Sequence, residues 1–323
     1  MSRITALHHV TCIAGDPQEN YDFYTGVLGM RMVKRSVNQD VPGTYHLFYA
    51  DAEGHAGTDL TFFPWPEMAP AAPGVGLASE VGLAVPADSL AFWRDRLAAA
   101  GIDVGAPITR FDERVLTFTD PHGLHLALVE TSDEREFASW SDSPVPADRQ
   151  VRGLHSMRLV ERDTETTARF LIGTLGFSEA GSEDGWQRFV LPGARSGRIL
   201  DIRAEPSKPR GKWGTGGVHH LAWRVPDDDA ELEVRERVEQ AHRRPTPVID
   251  RFWFKSVYFL EPGGVLFELA TDGPGFSIDE PSATLGEHLV LPPWLEPRRR
   301  EIEAALPPLR APRVLAQRGA GAA

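Results

Sequence analysis

Apolar and polar residues follow one order four times along the 323-residue chain. An alternating stretch leads into a stretch of helical spacing, and shorter alternating stretches separated by tight turns follow. ITALHHVTCIAGDPQENYDFYTGVLGM opens the first unit and VRGLHSMRLVERDTETTARFLIGTLGF the third. Each runs from a strand into Asp16-Pro17 or Asp163-Thr164, where Asp suits a helix N-cap and Pro the first helical turn. Each helix ends at glycine, after Leu28 and Leu175. Units two and four share another version. In EVGLAVPADSLAFWRDRLAAAGI and HHLAWRVPDDDAELEVRERVEQAH a strand closes on Val85-Pro86 or Val225-Pro226 and a helix follows. LTFTDPHGLHLALVE and VYFLEPGGVLFELAT are strand pairs around tight turns.

The pattern predicts an α+β chain of four βαβββ modules at residues 5–65, 78–131, 151–205 and 216–271. Residues 5–131 then form an N-terminal domain and 151–271 a C-terminal one. Residues 132–150, rich in Ser, Asp and Pro, read as a linker, and 272–323 as a loop-rich tail with a short helix near Arg298–Leu306. The competing reading is an unrelated α+β protein with accidental similarity between its parts.

Charge narrows the function. With 34 basic and 46 acidic residues the chain carries −12 at pH 7, which argues against nucleic acid as a partner. A single cysteine, Cys12, leaves no intramolecular disulfide and fits a reducing compartment. There is no secretory h-region at the start and no apolar run of membrane-helix length, so a cytoplasmic location is expected. GTGG at 214–217 lacks dinucleotide or phosphate-loop spacing, so no nucleotide cofactor is expected.

LHHVT at 7–11, FYTGVLGMRMVKR at 23–35, TYHLFYAD at 44–51, GTDLTFFP at 57–64, GLHS at 153–156, GVHHLAW at 217–223, YFLEPGGVLFELAT at 258–271 and the tail segment TLGEHLVLPPWLEP are distinctive. Together they resemble the hydroquinone ring-cleaving dioxygenases of the vicinal oxygen chelate superfamily, which also holds glyoxalases and bleomycin resistance proteins. The resemblance covers nearly the whole chain. It implies modules paired into two incompletely closed β-barrels, one of them a cup around a divalent metal. It further implies Fe(II), with Mn(II) as the alternative, an aromatic para-diol and O2 as reactants, and oxygen insertion beside a hydroxylated ring carbon. A catechol dioxygenase, a glyoxalase-type isomerase and a metal-free aromatic- or quinone-binding protein are the rival functions on this scaffold.

Aligning the first strands on Leu7, Leu154 and Val218 places His8, His155 and His219 together, then His9, Ser156 and His220. Counting four residues from the turn glycine of each last strand reaches Thr61, Ala127, Asp201 and Glu268, and Glu80 is the first-strand counterpart in module two. Pairing modules one and four would gather His9, Thr61, His220 and Glu268; pairing three and four would gather Ser156, Asp201, His220 and Glu268. Two imidazoles and one carboxylate suit non-haem Fe(II) with positions left open. His9, His220 and Glu268 are therefore the expected ligands, with module one packed on four and two on three, as the resemblance also implies. Glu268 shares its strand face with Leu266 and Ala270, where an unpaired charge would be costly.

Regular strand alternation turns His8 and His219 away from that metal, unless a bulge re-aims them or they support the ligands from behind. Thr11 shares the His9 face and can meet substrate. The resemblance places Tyr258 beside substrate, as a proton or hydrogen-bond partner, and Arg251 where it offsets negative charge. Of Phe252, Trp253 and Phe254, some are expected in the core and one at the pocket wall. His122 and His125 are expected to be structural, and the tail leaves room for a homo-oligomer.

Overall fold

The computed structural model describes residues 3–315, so the last eight residues of the expected tail lie outside the described chain. Each module is a strand, a helix and three further strands. Module one holds β1 (Ala6–Ala14), β2 (Arg31–Val37), β3 (Tyr45–Ala50) and β4 (Asp59–Pro64). Module two holds β5 (Leu77–Pro86), β6 (Ile108–Arg110), β7 (Glu113–Thr119) and β8 (His125–Thr131). Module three holds β9 (Gly153–Glu161), β10 (Ser178–Glu183), β11 (Trp186–Val190) and β12 (Ile199–Ala204). Module four holds β13 (Val218–Val225), β14 (Ile249–Asp250), β15 (Lys255–Leu260) and β16 (Leu266–Thr271).

Capping chemistry sets the helices. Asp16 accepts the Glu19 amide at 2.8 Å and Pro17 opens α1 (Pro17–Tyr21). That helix widens into a π-helical turn over Asp22–Val27; α2 (Leu90–Ala99) serves module two, and α3 (Glu165–Phe170) widens like α1, over Leu171–Leu175. Gly176 then stops the chain in the left-handed conformation, with φ of 82°. Asp227 caps α4 (Asp228–Gln240), whose first turn carries Asp228, Asp229 and Glu231 against the positive helix end.

The modules pair crosswise. One eight-stranded sheet runs β14-β15-β16-β13-β1-β4-β3-β2, joining modules four and one. The other runs β10-β11-β12-β9-β5-β8-β7-β6, joining three and two. The seams are antiparallel: β1 on β13 and β5 on β9. The two inter-module connections also touch, with bridges at Pro70–Thr215, Ala72–Lys212 and Val75–Arg210. One large apolar core takes Leu7, Val10, Leu221, Trp223, Phe267 and Leu269 from the outer face of the first sheet. Its concave face carries a separate aromatic cluster that includes Phe48, Trp253, Phe254 and Phe276.

Residues 132–150 contain no helix or strand but are strapped down. Arg135 donates to the Leu154 and Gly57 carbonyls, and Ser143 to the Gly29 carbonyl. In the tail, α5 spans Arg299–Ala305. No helix among the described residues is long and apolar enough to cross a membrane.

A buried carboxyl pair lies where modules three and four meet. Glu161 ends β9 and Glu261 stands in the β15–β16 turn, at 0% and 1% exposure. Glu261 accepts the Gly263 and Val265 amides and the Thr167 hydroxyl, whereas neither Glu161 oxygen has a hydrogen-bond partner.

Candidate metal centre

The first cup gathers its polar groups through the seam between β1 and β13. Leu7 and Val10 both point into the core although they are three residues apart, because His8 is an extra residue in the register between Leu7–Trp223 and His9–Ala222. His219 is the matching extra residue on β13, between Thr11–His220 and Cys12–Val218. Each bulge therefore puts two consecutive histidines on the cup side. Regular alternation would have turned His8 and His219 away, and the bulge is the exception that the sequence left open. The spacing Leu-His-His-Val and Val-His-His-Leu, apolar at i and i+3 within a strand, was the signal.

β16 runs parallel to β13 and lays Glu268 beside Ala222, two residues from His220 and on its face. His9, His220 and Glu268 are 2%, 4% and 0% exposed. The His9 Nε2–His220 Nε2 distance is 3.3 Å, His9 Nε2–Glu268 Oε2 is 3.3 Å and His220 Nε2–Glu268 Oε2 is 2.9 Å. An octahedral ion with bonds of about 2.1 Å separates adjacent ligand atoms by about 3 Å. The three atoms thus match one face of such an ion and form a metal-site candidate. Glu268 Oε1 accepts a hydrogen bond from Ser256 Oγ at 2.5 Å, while the buried Oε2 faces only the two imidazole nitrogens. A buried carboxylate oxygen set against two ring nitrogens, with no other polar group to share it, suits a cation held by all three. Burial alone would raise the Glu268 pKa, but the two imidazoles outweigh it and hold the carboxyl well below its usual range.

Behind each of these two candidate imidazoles stands its bulge neighbour. His8 Nδ1 is 2.9 Å from His9 Nδ1, and His219 Nδ1 is 2.8 Å from His220 Nδ1. Burial first, and then the adjoining histidine, lower both His8 and His219 to about 3. Both are therefore neutral rings at pH 7. His219 is stacked by Trp213 at 4.7 Å and met edge-on by Phe63 at 5.5 Å.

The open side of the ligand atoms faces a cavity of about 380 Å³, counting its mouth. Phe48, Phe63, Trp253 and Phe254 supply apolar walls; Asn38, Gln39, Asp40, His46, Arg251 and Tyr258 supply polar groups. Tyr258 pairs across the strands with Glu268, and its ring lies 5.6 Å from the His220 ring. Burial, with Glu268 nearby, raises the phenol well above its usual value. Arg251 lies over the Tyr258 ring at 5.5 Å and pairs with Asp40 at 3.0 Å. Thr11 is within reach of the cup but does not line the cavity. Its hydroxyl meets Thr61 at 2.8 Å, and Thr61 meets His46 Nε2 at 2.9 Å. The hydroxyl of Thr61, the weak fourth candidate, is thus engaged by these two neighbours.

His46 and Asp40 were missed from sequence. His46 shares a strand face with Phe48 in TYHLFYAD, a faint signal, and Asp40 had none. His122 and His125 lie elsewhere, against Glu19 and Thr119.

The second cup has Ser156 and Glu80 where the first has its two facing histidines, and arginines cross it. Arg158 reaches Asp201 at 3.3 Å and Glu80 at 3.7 Å, Arg110 reaches Glu80 at 2.8 Å, and Arg188 forks onto Asp201 at 2.8 and 3.1 Å. Asp201 and Glu80, the counterparts of Glu268 and His9, are neutralised by guanidinium groups.

The chain is 41% identical over 302 residues, 94% of its length and 96% of the relative's, to "putative ring-cleaving dioxygenase MhqO" of Bacillus subtilis (strain 168). It is 29% identical over 306 residues, 93% of its length and 95% of the relative's, to the chlorohydroquinone/hydroquinone 1,2-dioxygenase of Sphingobium indicum. A crystal structure of a "putative dioxygenase" from Bacillus subtilis superposes with a TM-score of 0.92 at 40% identity, covering 98% of this chain and all of that one. The sequence profile of the glyoxalase/bleomycin resistance protein/dioxygenase superfamily matches residues 6–128 and 153–269, and the chain belongs to that superfamily.

Proposed function

We propose that this chain is an Fe(II)-dependent dioxygenase that opens the ring of a hydroquinone next to a hydroxylated carbon. The observation that carries the reading is the convergence of His9 Nε2, His220 Nε2 and Glu268 Oε2 at the floor of an aromatic-walled cavity. Those atoms would hold the ion, and Mn(II) fits the same donors. The bound metal would supply a template for diol and O2 and the electron transfer between them. The similarity to the Sphingobium indicum hydroquinone dioxygenase supports the choice of a para-diol.

The remaining roles follow from the residues. A ligand imidazole coordinating through Nε2 keeps its proton on Nδ1 and donates it to the neutral ring behind it. His8 and His219 thereby fix the tautomer and tilt of His9 and His220. His8 also bonds the Thr271 backbone, which anchors the chain of rings. Tyr258, still protonated at pH 7, can donate to an anionic diol oxygen. Arg251 stays cationic and offsets negative charge, its position set by Asp40. Thr11, through Thr61, orients His46 toward the cavity. A para-diol cannot place both oxygens on one metal, so the distal hydroxyl falls to the polar side chains around the mouth. Phe48, Phe63, Trp253 and Phe254 would hold the ring and exclude water.

The test is O2 uptake by anaerobically reconstituted Fe(II) protein with hydroquinone, methylhydroquinone, chlorohydroquinone and catechol, beside His220→Ala. Stoichiometric uptake with para-diols and none in the variant is expected. Uptake with catechol alone would move the reaction to another diol class. No uptake by a metal-loaded protein would overturn the dioxygenase reading.

A further inference from the structure

The chain after the last module packs against the cavity wall, and its contacts fall on the segment carrying Arg251, Trp253 and Phe254. That segment is strained. Phe252 has φ of 75°, a conformation bulky side chains rarely adopt. Such strain persists only where the surroundings hold it in place. The Phe252 amide donates to Asp250 at 2.7 Å, and its ring meets Trp294 of the tail at 6.1 Å. The next residue, Trp253, is gripped harder. Its carbonyl accepts the Gly275 amide at 2.8 Å, and its indole Nε1 donates to Asp279 Oδ2 at 3.0 Å.

Asp279 divides its two oxygens. Oδ1 accepts from Lys34 Nζ at 2.7 Å, on β2 of the first module. Lys34 is 0% exposed, sits 5.4 Å from the Trp253 ring, and also bonds Glu280 and the Phe276 carbonyl. A buried indole N–H without an acceptor costs about 1–3 kcal/mol, and a hydrogen bond to an ionised acceptor is about twice as strong as a neutral one. Asp279 therefore ties a cation held by module one to an aromatic wall carried by module four, without touching a metal ligand.

We propose that Asp279 is a positioning residue for the ring-binding cavity. It sets the Trp253 indole against the bound ring, and through that wall the C-terminal segment governs which ring substituents are admitted. The assignment rests on the cavity being the diol site.

The experiment compares wild type, Asp279→Asn, Asp279→Ala, Trp253→Phe and the Asp279→Ala/Trp253→Phe double variant. Metal-loaded, oxygen-free protein is titrated with hydroquinone and with tert-butylhydroquinone, and metal content is measured alongside. Asp279→Ala should weaken hydroquinone binding about 10-fold and change the ratio of the two dissociation constants at least about 3-fold, with metal content unchanged. Asp279→Asn, which keeps the side-chain shape, should shift the ratio in the same direction and carries the decision if the alanine variant does not fold. In the Trp253→Phe background the alanine substitution should leave the ratio unaltered. An unchanged ratio in both single Asp279 variants, or the same change with Phe at 253, overturns the proposal. Should wild type bind neither diol, the functional reading falls, and Trp253 emission, taken as wild type minus Trp253→Phe, decides separately. A shift of that emission in the Asp279 variants supports the tether, and no shift overturns it.

Discussion

Replacing Glu161 with Gln should stabilise the protein at alkaline pH and not at acid pH. The Glu161 side chain is fully buried, its oxygens have no hydrogen-bond partner, and its neighbour Glu261 is a second carboxyl. Burial first, and then Glu261, raise the Glu161 pKa from 4.5 to about 8. Its folded state therefore binds a proton more tightly than its unfolded state. By linkage, the Glu161 contribution is fully favourable below about 4.5, is lost as pH rises through about 8, and is flat beyond. A shift of that size corresponds to an upper bound of roughly 4–5 kcal/mol, and relaxation or water entry in the ionised state reduces it to about 2–3 kcal/mol. Gln is neutral throughout, so the variant should gain about 2 kcal/mol or more over wild type between pH 5 and pH 9. Urea unfolding at pH 5, 7 and 9 measures this directly. A difference that does not vary with pH would refute the reasoning. A variant less stable than wild type at pH 9 would show Glu161 ionised and paired in the fold.

Three further outcomes are expected. Glu268→Gln keeps the shape but removes the charge between His9 and His220, so metal retained after dialysis should fall more than about 100-fold in affinity; stoichiometric metal in the variant would count against the site. His8→Ala should leave the ligands in place but weaken metal binding by about 10–100-fold, measured by competition with a chelator, because His9 loses the partner of its Nδ1. Arg188→Met leaves the buried Asp201 with Arg158 as its remaining guanidinium partner and should cost about 1–3 kcal/mol in urea unfolding, with Arg188→Met/Asp201→Asn recovering part of the loss.

The modules were legible because each carries its own local punctuation: Asp16-Pro17, the Gly29 and Gly176 stops, and the two Val-Pro strand ends. Pairing of module one with module four was legible because only that choice gives two imidazoles and a carboxylate. The bulges at His8 and His219 could be named only as one option, because register is set by the facing strand rather than by the strand itself. The π-helical turns at Asp22–Val27 and Leu171–Leu175 escaped because their apolar spacing also suits an ordinary α-helix. His46 and Asp40 join the cavity through strand β3 and the loop before it, where no spacing rule marks a site. Within the described part of the tail, residues 272–315, the grip on Lys34 spans about 245 positions and leaves no trace in local composition.

The crosswise pairing of modules has a consequence for how the chain matures on the ribosome. His9 and His220 lie 211 positions apart, and Glu268 is made later still. Folding proceeds from the N-terminus as chains are synthesised. The sheet of modules two and three can therefore close while β1 still waits with one edge open for β13. Until the last module emerges, the first holds a single imidazole of the triad, too few donors to retain a metal. A chain that stops short of the last module would therefore lack two of the three donors of the candidate site, and metal loading would have to wait for the end of synthesis.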